Sequence, residues 1–188
     1  VGLANQTTML RDETTAIGKL LEATQMRRWG PADLASHYMV MDTICDATQE
    51  RQDAVHELVD EGAGAGAPPP PDMMLVVGGF NSSNTSHLQE IPEAAGVPSF
   101  WVDGARCVDV AANTITHKLA NGEMVTTKDW LPPASTPIVL GVTSGASTPD
   151  RAVEEVLDAV FAIRDPGFGG VAPDASLAGA AKARPDGH

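Results

Sequence analysis

Three times along this chain a short apolar run breaks into a loop of small hydroxyl and amide side chains and passes at once into a helical pattern. The loops are Gln6-Thr7-Thr8, Asn81-Ser82-Ser83-Asn84 and Thr143-Ser144-Gly145-Ala146-Ser147-Thr148. This repeated grammar constrains the fold more than any other feature. The runs before the loops, Val1 to Ala4, Met73 to Val77 and Pro137 to Val142, are apolar rather than alternating. Continuous apolar strands separated by helices belong to parallel sheets covered on both faces. The expected class is therefore α/β, with parallel sheets flanked by helices. Further strands are expected at Tyr38 to Ile44 and Pro98 to Val102, and a hairpin between Thr114 and Thr127 that turns at Asn121-Gly122. Helical faces are expected at Ile17, Leu20 and Leu21, with a stop at Gly30-Pro31, and at Ala47, Ala54, Val55, Leu58 and Val59. Two more begin near Thr85 and at Ala152, the second carrying Val153, Val156, Leu157, Val160 and Phe161.

Two segments do not follow the grammar. Residues 62–71 alternate Gly and Ala and end in prolines, which reads as a surface-loop insertion. From Asp165 to His188, 14 of 24 residues are Gly, Ala or Pro, which reads as a disordered tail. The chain carries 12 Lys plus Arg against 25 Asp plus Glu, a formal charge of −13. With no basic cluster longer than Arg27-Arg28, that balance excludes nucleic acid and an anionic membrane surface as partners. No apolar run approaches the roughly 18–20 residues of a membrane helix. Two cysteines, Cys45 and Cys107, are too few for a disulfide framework and fit a reducing compartment. Val1 follows no signal or transit pattern, and the chain reads as a piece of something longer.

The three loops can collect anions. First-turn N–H groups of a helix lack internal partners and carry the positive end of its dipole, and Ser, Thr and Asn side chains add directed donors. In open α/β sheets ligands bind outside the carboxyl ends of the strands, where these loops fall. Helix capping is the alternative, because Ser, Thr and Asn are also the preferred N-cap residues. No Lys or Arg stands in the loops, so the oxygens of a ligand would be held by neutral donors. Cys45 follows a strand and precedes a helix N-terminus, a position that favours thiolate, the form that ligates metals; burial as a small hydrophobe is the alternative. No CxxC and no nearby His supplies a second ligand. Cys107 reads as structural or free, His37, His56 and His117 as solvent or packing residues, and His87, one turn beyond Asn84, stands near the expected pocket. Neither GxGxxG nor GxxxxGK[ST] is present, so no nucleotide fingerprint supports a nucleotide site.

At these residues the sequence resembles the 4-hydroxy-3-methylbut-2-enyl diphosphate reductase family in its plant and cyanobacterial branch. The resemblance rests on Asn5-Gln6-Thr7-Thr8-Met9-Leu10, on Asp42 to Gln52 around Cys45, on Leu75 to Gly79 continuing into Asn81 to Leu88, and on Gly141 to Asp150. It implies two of the three pseudo-threefold lobes of the reductase fold and the C-terminal two thirds of the protein. Residues 1–44 would be part of the second lobe and 45–164 the third, with 62–71 and 165–188 outside the pattern. It further implies a central [4Fe-4S] cluster with one cysteine from each lobe, Cys45 being this chain's ligand, and a diphosphate substrate held by Thr7, Thr8, Ser82, Ser83, Asn84 and Ser147, with Thr8 in the catalytic role. Reduced ferredoxin or flavodoxin would be the electron donor, a homodimer the assembly, and the plastid stroma, or else a bacterial cytoplasm, the location. The family's first lobe, with the other cluster ligands, has no counterpart here, so the chain is expected to be inactive alone. Readings from other classes are a non-catalytic phosphate-binding α/β module and a structural paralogue that pairs with another chain.

Overall fold

The structure, a computed structural model, describes residues 1–60 and 69–167. The insertion expected at 62–71 lies largely outside the described residues, as does the tail from 168 onward. Two sheets form. In the smaller, β1 (Gly2–Leu3) pairs in parallel with β2 (Met39–Val40), joined by the long helix α1 (Arg11–His37). Gly30 breaks α1 with φ 74°, in the left-handed region that glycine adopts freely, and Pro31 starts the next helical segment with a preset φ. The expected stop is thus a break, after which the helix resumes.

The chain then passes through α2 (Asp46–Val59) into a six-stranded sheet: β3 (Met73–Val77), α3 (Ser83–Ala94), β4 (Ser99–Val102), a 3₁₀ turn at Ala105–Cys107, β5 (Val108–Asp109), β6 (Thr114–Lys118), β7 (Met124–Lys128), β8 (Leu140–Ser144) and α4 (Asp150–Arg164). β3 lies between β4 and β8, parallel to both. Antiparallel β6 extends this parallel core beyond β4, with β7 along its other edge and β5 beside its first residues. The α/β class holds, and the sheet is mixed because the Asn121-Gly122 hairpin turns the chain back where no helix crosses over.

The apolar run of β3 fills both faces of the sheet. Leu75 and Val77 pack with Val102, Ile115, Val156 and Val160 under α4, while Met74 and Val76 pack with Val55, Leu88, Ile91 and Trp101 under α2 and α3. Successive strand residues point to opposite faces, so a run with no polar member requires both to be covered.

Several boundaries differ from expectation for local reasons. The strand expected at 38–44 shortens to Met39–Val40, because Tyr38 closes α1 through its N–H to Leu34 and its hydroxyl to the Gly18 carbonyl, and Thr43 turns to Asn5. β8 begins at Leu140 rather than Pro137; the Val139 amide is drawn to the Asp72 carboxylate instead of a ladder partner. α3 begins at Ser83, so Ser83 and Asn84 stand in its first turn rather than in the loop. The expected inner face of α1 is open: Ile17 is 51% and Leu20 67% exposed, beside exposed Met39, Val40 and Met41 on β2 and the loop after it. Among the described residues no helix is long and apolar enough to cross a membrane.

Candidate functional site

Because β3, β4 and β8 run parallel, their carboxyl ends share one edge. The Gly78 N–H donates to the Val102 carbonyl and the Gly145 N–H to the Val77 carbonyl, each at 2.9 Å, and the Thr148 hydroxyl donates to the same Val77 oxygen at 3.2 Å. This stitches the loops after β3 and β8 side by side. Thr85, fully buried in α3, fills the space between them: a Cβ added at either Gly78 or Gly145 would lie 2.5 Å from its hydroxyl. Both glycines serve close approach, and that is how the first turn of α3 reaches the strand ends.

The loops of the smaller sheet are tied by a different set. The Thr43 hydroxyl accepts from the Asn5 N–H at 2.8 Å and donates to its carbonyl at 2.7 Å, and the Asn5 amide also meets the Thr14 hydroxyl. Gln52, 2% exposed on α2, donates to the Met9 carbonyl at 3.3 Å. The Cys45 N–H donates to the Thr7 carbonyl at 3.2 Å. One contact then joins the two sheets at this edge: the Thr8 and Ser83 hydroxyls lie 3.3 Å apart, across 75 residues of chain.

Thr7 is exposed, Thr8 is half-buried against Ser83, and the Ser82 hydroxyl caps α3 by accepting from the Thr85 N–H at 3.3 Å. Asn84 is 5% exposed, and its side-chain nitrogen and oxygen have no hydrogen-bond partner among the described residues. A buried amide without partners costs about 1–3 kcal/mol, the signature of a group that completes its bonds with something else. Ser147 is exposed in the loop before α4, and no hydrogen bond ties it to Thr8, Ser82, Ser83 or Asn84. Capping explains only Ser82: α1 and α4 begin at Leu10 and Pro149 with no side-chain cap, so Thr7, Thr8 and Ser147 are not used that way. His87 turns to Glu90 on its own helix at 3.0 Å, away from the loops. His37 stacks on Trp29, and His117 is buried against Phe100 and the Thr127 hydroxyl, both packing roles.

Cys45 is the exposed N-cap residue of α2, and its sulfur lies 2.8 Å from the Thr48 hydroxyl. That hydroxyl, and after it the Thr48 backbone amide, hold the thiol below its ordinary pKa. Burial pushes the Cys107 thiol up, beside the Asp103 carboxylate. Iodoacetamide at pH 7.5 is therefore expected to alkylate Cys45 at least about tenfold faster than Cys107 in the folded chain, since only thiolate reacts. Peptide mapping after timed quenching reads both sites, and denaturant should remove most of the difference.

Among the described residues no group of three or more His, Cys, Asp or Glu side chains could hold a metal ion. An iron–sulfur cubane held by cysteines alone from one chain does not fit these residues, because Cys107 sits in the core with Asp103 while Cys45 stands alone at the loop edge. Residues that motif reading passed over are Gln52 and Trp101; the latter donates from its indole to the Gly78 carbonyl at 2.8 Å. Neither carries a signal in a single sequence, since each acts through a backbone carbonyl.

A family model described as LytB protein matches residues 1–161. The chain is 62% identical over all 188 residues to the protein named 4-hydroxy-3-methylbut-2-enyl diphosphate reductase, chloroplastic, of Botryococcus braunii, covering 37% of it. It is 54% identical over 171 residues to the protein named 4-hydroxy-3-methylbut-2-enyl diphosphate reductase of Gloeobacter violaceus, 90% of this chain and 38% of that one. In fold it resembles the solved E-1-hydroxy-2-methyl-but-2-enyl-4-diphosphate reductase of Plasmodium falciparum, with a TM-score of 0.58 at 19% identity over 90% of this chain and 41% of that one. The chain thus spans 37 to 38% of these two relatives, less than the two thirds expected from counting lobes. The sheets give the reason: one is six-stranded, the other only a two-stranded piece.

Proposed function

Since the chain belongs to the LytB protein family, we propose that it forms part of a 4-hydroxy-3-methylbut-2-enyl diphosphate reductase and supplies that enzyme's diphosphate-binding edge and one metal-ligating thiolate. The observation that carries this is the Thr8–Ser83 contact, which sets the loop leading to Cys45 beside the first turn of α3. On this reading Thr7, Thr8, Ser82, Ser83, Asn84 and Ser147 receive the substrate. Their hydroxyls and amide, with the first-turn N–H groups of α3, donate to diphosphate oxygens with no cation in the loops themselves. Thr8 is assigned the reacting end, where its hydroxyl orients the substrate's allylic hydroxyl. Cys45 is one ligand of a [4Fe-4S] cluster whose remaining thiolates come from the region by which the relatives exceed this chain, and the cluster, when bound, supplies the two electrons of a reductive dehydroxylation. Residues 1–44 are assigned to the second lobe and 45–164 to the third. The electron donor is a ferredoxin or flavodoxin, the assembly a homodimer, and the location the plastid stroma, in line with the chloroplastic name of the Botryococcus relative.

A second reading, a non-catalytic phosphate-binding module, is favoured by the donor count, one exposed thiol with no partner ligand among the described residues. Anaerobic iron–sulfur reconstitution separates the two. Residues 1–188 alone should form no stable visible cluster band and no product. The same residues joined to the additional region of a longer relative should form one and turn over the diphosphate substrate with reduced methyl viologen. A joined protein that binds the diphosphate but takes up no iron would establish the second reading instead.

A further inference from the structure

The loops of the candidate site hold no Lys or Arg in sequence, yet the fold brings one ammonium to the back of the loop between β3 and α3. We infer that Lys118, on β6, is a positioning residue for the Gly78–Ser83 loop, so that the antiparallel hairpin governs how tightly the edge holds its anion. The inference rests on the diphosphate reading above.

Lys118 Nζ donates to the Phe80 carbonyl at 2.6 Å and stands 4.8 Å from the centroid of the Trp101 ring. Trp101 in turn donates to the Gly78 carbonyl. Two carbonyls of one short loop are thus fastened from two neighbouring strands. β4 and β6 are paired at a single register position, Trp101 opposite Lys118. The same two residues therefore join the hairpin to the parallel core and hold the loop. Gln89, fully buried on α3, donates to the Lys118 carbonyl at 2.8 Å and closes the circuit from loop to hairpin to helix. Asn81, Ser82 and Ser83 share with Lys118 and Trp101 a hollow of about 310 Å³.

A charge-assisted bond to a backbone carbonyl is stronger than a neutral one, and here it fixes the plane of the peptide that precedes Asn81 and Ser82. Cation–π attraction to the Trp101 face keeps the long stem in one conformation. Removing the ammonium leaves the loop anchored only at Gly78, so the hydroxyls that follow would be less well ordered before ligand arrives.

The test uses the chain joined to the additional region of a longer relative, as wild type, Lys118→Met and Lys118→Arg, with Lys128→Met on β7 as the control. Lys118→Met keeps the apolar stem and is expected to raise KM for the diphosphate substrate about tenfold while kcat stays within about twofold. Lys118→Arg should restore most of the loss, and Lys128→Met should change neither. Hydrogen exchange gives the second readout: amides of residues 80–83 should exchange faster in Lys118→Met, with those of β3 unchanged. An unchanged KM, a loss in kcat alone, or unchanged exchange at 80–83 would each overturn the inference. If the wild-type protein itself shows no turnover, the reductase reading fails; exchange at 80–83 and the affinity for inorganic diphosphate then decide the role of Lys118.

Discussion

Cys45→Ser in the chain joined to the additional region of a longer relative is expected to lower reductase kcat by more than about 100-fold, because even the outer partners of metal ligands cost 10–100-fold when removed. The fold should survive. Cys45 is exposed at the start of α2 and contributes nothing to either apolar cluster, and serine is a preferred N-cap residue, so the helix end is kept or improved. Cys107→Ser is the comparison. It places a hydroxyl in the core beside Asp103, away from the loops, and should leave turnover per folded molecule within about twofold while lowering stability by about 1 kcal/mol. Kinetics with thermal melts on both variants check the pair. Full turnover in Cys45→Ser would remove this thiolate from the chemistry.

Gly78→Ala should be the most damaging single-methyl change. Its Cβ would lie 2.5 Å from the Thr85 hydroxyl and 3.0 Å from Thr85 Cγ2 and the Thr148 hydroxyl. Thr85 is fully buried and β-branched, with no free rotamer into which to swing, so the first turn of α3 has to move. Overpacking of this kind costs about 1–3 kcal/mol, which for a chain of this size lowers Tm by roughly 2–12 °C. Because α3 carries Ser83 and Asn84, diphosphate affinity should fall at the same time. Gly79→Ala, with open space around the added methyl, should leave both within error. Calorimetry and diphosphate titration on the two variants give the comparison.

The parallel core was legible because β3 is apolar at every position, a pattern that needs cover on both faces, and because its flanking loops repeat one composition. The hairpin was legible from Asn121-Gly122 alone. The end of β2 and the start of β8 were not, since Tyr38 and Asp72 decide them through side-chain bonds to backbone groups distant in sequence. For the candidate site, the residue types and the Cys45 junction could be read from the chain, and the Thr8–Ser83 meeting could not, because nothing local encodes a contact between the two sheets. Thr85 and Lys118 were invisible for the same reason: each takes its meaning from glycines, carbonyls and an indole brought to it by other strands.

The small β1–β2 sheet has a consequence for how these residues behave in a tube. A parallel pair of two-residue strands is a marginal structure in water, and its outer edges offer free peptide groups to any passing strand. Ile17, Leu20, Val40 and Met41 form an oily flank beside them. The net charge of −13 repels neighbouring molecules while salt is low, and screening removes that protection over a Debye length of about 8 Å at physiological ionic strength. Colloidal behaviour is thus governed by this flank: dilute, low-salt buffers keep the molecules apart, and concentration in saline brings the adhesive edges together.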